Sequence, residues 1–176
     1  VDPDTRLHDA RKKFVVSKFK NTPECVQDVR KVLDNNDVDV ISIATPNHWH
    51  SLMSIWACQA GKDVYVEKPL SHNLFEGKKL VEAAKKYKRI VQHGTQNRSL
   101  SKWSNLANEI ASGKKGKLEV ALGTCHKRRK SIGFKDTQKP PSALDFDLWT
   151  GPAPKEEFHE NLVHYNWHWF WNYGNG

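Results

Sequence analysis

The sequence predicts an α/β protein: a parallel sheet whose strands alternate with amphipathic helices, followed by the start of an α+β domain with a mainly antiparallel sheet. Three observations carry that reading. Short runs rich in β-branched residues at 38–43, 64–66 and 90–93 are separated by helical periodicities. Each run ends in a polar motif rather than a tight hairpin turn, as parallel strands joined by crossovers should. After Gly116, Leu118, Val120 and Leu122 alternate with Lys117, Glu119, Ala121 and Gly123, the period of a strand with one buried face.

The elements follow in order. Leu7, Ala10 and Phe14 mark a first helix, and Thr22 with Pro23 opens a second carrying Val26, Val29 and Leu33. The run 38–43 is short and mostly apolar, as a strand buried on both faces should be, and Pro46 ends it. Trp49, Leu52, Met53, Trp56 and Ala60 then form one apolar helix face, with Asn47 as the expected cap and Gly61 at the C′ position. Asn73 and Glu76 make a capping box for the helix after the second strand, and its lysines surround Leu80, Val81, Ala84 and Tyr87 as a solvated face. Trp103, Leu106, Ala107 and Ile110 form a further amphipathic face ending at Gly113. Lys114, Lys115 and Gly116 make a turn, so the domain boundary is expected near residue 115, dividing 1–115 from 116–176. Residues 127–142 are basic, carry Gly133, Pro140 and Pro141, and read as a long loop. Tyr165, Trp167, Trp169 and Trp171 alternate strictly, which on a strand places all four on one face, as core or as a flat wall for a ligand.

Placement makes the polar motifs interesting, because ligands of open parallel sheets bind outside the carboxyl ends of the strands. The first motif, Ala44, Thr45, Pro46, Asn47, His48, Trp49, His50, follows the first run; the second, Glu67, Lys68, Pro69, follows Val64, Tyr65 and Val66. The helix after the first motif points its N-terminus back at it, where free N–H groups and the dipole suit an anion such as a pyrophosphate. Pro69 holds Lys68 in extended geometry and permits a cis bond. Gln96 and Asn97 follow the third run and so reach the same edge, either as ligand-facing amides or as a turn-forming pair.

These residues resemble the glucose-fructose oxidoreductase, inositol dehydrogenase and rhizopine catabolism (Gfo/Idh/MocA) family. It carries a Thr-Pro-Asn-x-x-His stretch followed about twenty residues later by Glu-Lys-Pro. Gly94, Thr95, Gln96, Asn97, Arg98 and Trp149, Thr150, Gly151, Pro152, Ala153, Pro154 extend the likeness along nearly the whole chain. The resemblance implies a partial Rossmann-type, dinucleotide-binding domain in 1–115 and the beginning of a substrate and oligomerisation domain in 116–176. It further implies an oxidoreductase using NAD or NADP on a hydroxyl of a sugar, polyol or related small molecule, in a homo-oligomer. By the same resemblance Thr45, Pro46, Asn47, His50, Glu67, Lys68 and Gln96 line the cofactor, Trp167 and His168 are candidate contacts, and Lys68 is the catalytic residue. An ammonium there can hydrogen-bond the substrate oxygen and stabilise developing alkoxide; the plain alternative is a surface lysine.

The departures from the family pattern are two. No glycine precedes Gly61, so the glycine-rich pyrophosphate turn is absent, and the family's catalytic His and Asp would lie beyond Gly174, Asn175 and Gly176. An internal fragment, inactive alone, is therefore expected; a complete small domain is the alternative.

Composition agrees with a folded chain: 38% of its 176 residues are hydrophobic, and no apolar run approaches a membrane span. Three cysteines, Cys25, Cys58 and Cys125, have no metal-type spacing and read as reduced core or near-core thiols, with a cytoplasmic location as the default. No metal site is expected. A net charge of +8 and the cluster Lys127, Arg128, Arg129, Lys130 raise a nucleic-acid-binding module, but helix-face lysines explain most of the charge, so neither nucleic acid nor membrane is expected as a partner. An NAD-dependent glycoside hydrolase of the same fold is the remaining alternative.

Overall fold

In the computed structural model, which describes residues 1–125 and 127–175, the three β-branched runs become one parallel sheet in the order β1-β2-β3. Its strands are Val40–Ile43 (β1), Asp63–Glu67 (β2) and Val91–Gly94 (β3). Ile43 stands opposite Val66 and Val64 opposite Val91, so like residues share a face across the sheet. Helix α3 (Asn47–Gln59) connects β1 to β2 and α4 (Leu74–Tyr87) connects β2 to β3; the two helices pack on each other. Ile41, Ile43, Val64 and Val66 meet Ala57, Cys58 and Ala83 in the main core.

Alternation along the strands is sharper than a sheet buried on both faces would show. Val40 is 59% exposed and Ser42 is exposed, because α3 and α4 cover only the other face. Val40 and Ser42 instead border an open cleft.

Helix α1 (His8–Phe19) forms where predicted, closed by Lys20 in the left-handed region at φ 58°, yet none of its residues is buried. The second predicted helix shrinks to α2, Arg30–Leu33. The Val26 carbonyl accepts the Asp2 N–H and the Asp28 carboxylate accepts the Arg30 N–H at 2.9 Å, so the chain before Arg30 is held in other bonds. Asn73 caps α4 as expected: its side chain accepts the Glu76 N–H at 3.0 Å and donates to Glu76 Oε1 at 2.7 Å.

Helix α5 (Ser101–Ala111) follows, with Gly113 in positive φ beyond its end, and Trp103 and Leu106 on its apolar face lie open. Residues 118–122 are exposed and pair with nothing among the described residues, so the expected strand is not formed there. Residues 127–142 carry no helix or strand, as expected of a loop.

A second core joins Leu144, Trp149, Phe158, Leu162 and Tyr173 around the short α6 (Phe146–Thr150), which Asp145 caps through the Leu148 N–H. The aromatic alternation is not a strand either. Asn166–Trp169 is a 3₁₀ turn, and the Phe170, Tyr173 and Gly174 N–H groups bond to nearby carbonyls, leaving no ladder to build. The start of the chain is pinned to this second core: buried Asp4 accepts from Arg6 and lies 3.0 Å from His164 Nε2, and its hydrogen bonds to Arg6 hold its carboxyl down at about 2.

Cys58 is buried and Cys25 half-buried, but Cys125 is exposed, correcting the expectation that all three lie in or near the core. No disulfide links them, no described helix is long and apolar enough to cross a membrane, and no group of metal-type ligands occurs among the described residues.

Candidate functional site

Because the strands are parallel, their carboxyl ends share one edge, and the polar motifs meet there. Glu67 stands opposite Gly94 in the register, so the end of β2 touches the end of β3. Gly94 permits a close approach: a Cβ on it would sit 3.1 Å from Tyr65 Oη and 3.2 Å from Glu67 Cα, so a side chain there would need these neighbours to give by a few tenths of an ångström. Across the gap, Gln96 Nε2 donates to Glu67 Oε1, while Glu67 Oε2 accepts the Lys68 N–H at 3.1 Å. One carboxylate thus ties the start of the Lys68-Pro69 turn, whose peptide bond is cis, to the segment after β3. Lys68 is exposed, and no carboxylate pairs with its ammonium among the described residues.

At the end of β1 the chain passes through Thr45 and Pro46 into α3. Pro46, not Asn47, occupies the cap position, and no side chain caps the helix. Asn47 is the first helical residue; its side chain is drawn away to donate to Asn175 Oδ1 at 3.0 Å. The first N–H groups of α3 therefore have no side-chain partner. The Thr45 hydroxyl is buried without a hydrogen-bond partner and borders the cleft of about 680 Å³ that also touches Pro46, Trp49, Met53 and Trp167. An orphaned hydroxyl beside an uncapped helix start suits a polyhydroxylated anion, as a dinucleotide is.

His50 departs from its expected role. Its side chain is buried at 1% exposure, and its two ring nitrogens face the Pro69 and Thr45 carbonyls at 2.6 and 2.8 Å. Both nitrogens face backbone carbonyls inside the fold, so neither is open to a cofactor. Trp167 borders the cleft and donates to the His164 carbonyl at 3.1 Å. His168 is turned away, its Nδ1 on the Tyr165 carbonyl and its ring among Tyr165, Trp167 and Trp169, because a 3₁₀ turn rotates successive side chains by about a third of a circle. The structure brings Glu67, Lys68 and Gln96 together, sets Thr45 and Pro46 on the neighbouring loop, and leaves His168 outside.

Two contacts had no sequence signal, since they join residues about a hundred positions apart. Asn175 Nδ2 donates to the His72 carbonyl at 3.0 Å while its Oδ1 takes the Asn47 amide, latching the end of the chain over the start of α3. Trp49 Nε1 donates to the Leu148 and Trp149 carbonyls at 3.1 and 3.0 Å, and His48 Nε2 lies 3.0 Å from the latter. Burial pushes the His48 imidazole down to about 4, so it is neutral at pH 7 with its proton on Nε2.

Comparison with known proteins bears on the fold and the family. The model of a family described as an oxidoreductase family with an NAD-binding Rossmann fold matches residues 1–95, and that of an oxidoreductase family C-terminal alpha/beta domain matches residues 127–176. A levoglucosan dehydrogenase from Pseudarthrobacter phenanthrenivorans is 43% identical over 67 residues, covering 38% of this chain and 16% of its own. A scyllo-inositol 2-dehydrogenase (NAD(+)) from Bacillus subtilis is 34% identical over 91 residues, 52% of this chain and 27% of its own. The crystal structure of an NAD binding oxidoreductase from Klebsiella pneumoniae superposes with a TM-score of 0.51 at 29% identity, over 59% of this chain and 27% of that one. The chain thus spans well under a third of the length of each.

Proposed function

This chain belongs to the Gfo/Idh/MocA oxidoreductase family, and from that premise we propose that it is the nicotinamide-side part of an enzyme moving a hydride between NAD or NADP and a hydroxyl of a sugar, polyol or related small molecule. Residues 1–115 belong to the dinucleotide-binding domain and 116–176 begin the substrate and oligomerisation domain. The observation that carries the reading is the convergence of Thr45, Glu67, Lys68 and Gln96 at one sheet edge, with an unpartnered hydroxyl and an uncapped helix start beside them.

The residues fit the cofactor in kind. The Thr45 hydroxyl and the α3 N–H groups would hold its ribose or phosphate oxygens, and Pro46 keeps that backbone extended at ψ 152° up to the helix. The nicotinamide, when bound, supplies the hydride acceptor or donor. Glu67, tied to Gln96 and to the Lys68 N–H, holds the turn from which Lys68 reaches out. Lys68 hydrogen-bonds the reacting oxygen, stabilises negative charge as it develops there, and holds the proton exchanged with it.

In the full-length protein, Lys68→Ala should lower kcat on a sugar or polyol by about 10²–10⁴-fold while NADH binding, read by fluorescence, persists. Full turnover in that variant would refute the role of Lys68, and an absence of NADH binding by the unaltered protein would refute the proposal as a whole.

A further inference from the structure

The Thr45-Pro46 loop and the Lys68-Pro69 turn leave the sheet from different strands. Beyond the last β1–β2 pair, Ile43 opposite Val66, no backbone hydrogen bond among the described residues joins them. Each would be free to shift against the other, and a site built on both would have no defined width. His50 occupies the gap from below, 2.6 Å from the Pro69 carbonyl and 2.8 Å from the Thr45 carbonyl, with 1% of its surface exposed.

Both neighbours are acceptors, so the ring engages them as a donor: a neutral imidazole can donate to one at a time, a doubly protonated one to both. The next residue of α3 reaches the same turn: Ser51 Oγ approaches the Leu70 carbonyl at 3.4 Å, so α3 meets the second turn at two successive residues.

We propose that His50 is a positioning residue that couples the two edges, setting the distance between the Thr45 hydroxyl and Lys68. The proposal rests on the reading of those two as cofactor-facing and catalytic, and it deepens that reading: His50 touches neither substrate nor cofactor. Small errors in such a spacing are costly, because reacting groups must be held to within a fraction of an ångström.

Two variants of the full-length protein separate coupling from packing. His50→Gln keeps one amide NH₂ but loses the ring that spans both carbonyls, and His50→Phe keeps a buried ring with no donor. Hydrogen–deuterium exchange should show peptides spanning 44–47 and 67–71 losing protection together in both variants, with the α4 peptides unchanged. NADH Kd should rise and kcat fall, each by about tenfold or more, with substrate KM changing less. Unaltered protection at both segments, or a change at only one, overturns the coupling. A His50→Phe protein with unchanged exchange and Kd shows that packing alone suffices and overturns it as well; should that variant not fold, His50→Gln decides. If the unaltered protein binds no NADH, the functional reading fails, while the joint exchange change still decides whether His50 couples the two segments.

Discussion

Gly151 offers the strongest single test of how the two cores are joined. It follows α6 at φ 50° and ψ −122°, and a Cβ built on it would lie 2.1 Å from Trp49 Cζ2 and 2.3 Å from Cε2. Carbon atoms in contact normally stand about 3.5–4.0 Å apart, so in Gly151→Ala the indole must retreat by more than 1 Å or the loop must move. Retreat removes the bonds from Trp49 Nε1 to the Leu148 and Trp149 carbonyls, a loss of about 1 kcal/mol. Overpacking of a buried ring adds about 1–3 kcal/mol, and the backbone conformation about 1–2 kcal/mol more for any residue with a side chain. Together these amount to about 3–6 kcal/mol, a large share of a domain's stability. Gly61→Ala is the matched control: its φ is 76°, but nothing lies within 4 Å of the added carbon, so only the backbone cost of about 1 kcal/mol applies. Urea unfolding followed by tryptophan fluorescence should place Gly151→Ala at least about 2 kcal/mol below Gly61→Ala. Equal stability of the two would refute the claim that Trp49 and Gly151 interlock the cores.

Two further outcomes are expected. Asn73→Ala should cost about 1 kcal/mol in the same unfolding assay, since it deletes the α4 cap and its reciprocal bond to Glu76, and Asn73→Asp should restore the bond from the Glu76 N–H but not the one to Glu76 Oε1. His48 is held below its usual value by burial, so the unfolded chain binds a proton there first; its contribution is complete above about pH 6.5 and is lost as pH falls towards 4, by on the order of 3 kcal/mol. Unfolding measured at pH 7 and pH 4.5 should show a smaller pH difference in His48→Gln, and an unchanged difference would remove His48 as the cause.

The site was half legible in the chain. Glu67, Lys68 and Gln96 end or follow strands, and strand ends are readable from where a β-branched run stops, so their shared edge follows once the strands are parallel. The role of His50 was not readable, because its function depends on two carbonyls that fold against it from residues 45 and 69. The deepest side of α3 shows the same limit. Periodicity selects Trp49, Leu52, Met53, Trp56 and Ala60, yet Asn47, His48, His50, Ser51, Ser54, Ala57 and Cys58 are the residues buried alongside Trp49, while Ala60 is exposed. An apolar-face argument assumes that polar side chains lose by burial; here they find backbone partners in the Thr45, His50, Pro69 and Leu70 carbonyls and lose little.

By itself the sequence determined what acts over a few residues: the β-branched runs, the Asn73-Glu76 cap, the turn at Gly61 and the polar motifs that end two strands. Only the tertiary structure decided which of the alternating patterns would become strands. Residues 118–122 and 165–171 share the period of a strand, but a strand exists only where a second backbone answers its N–H and C=O groups. It alone also decided the latch from Asn47 through Asn175 to His72, since a hydrogen bond between residues 128 positions apart leaves no periodic trace in the chain that makes it.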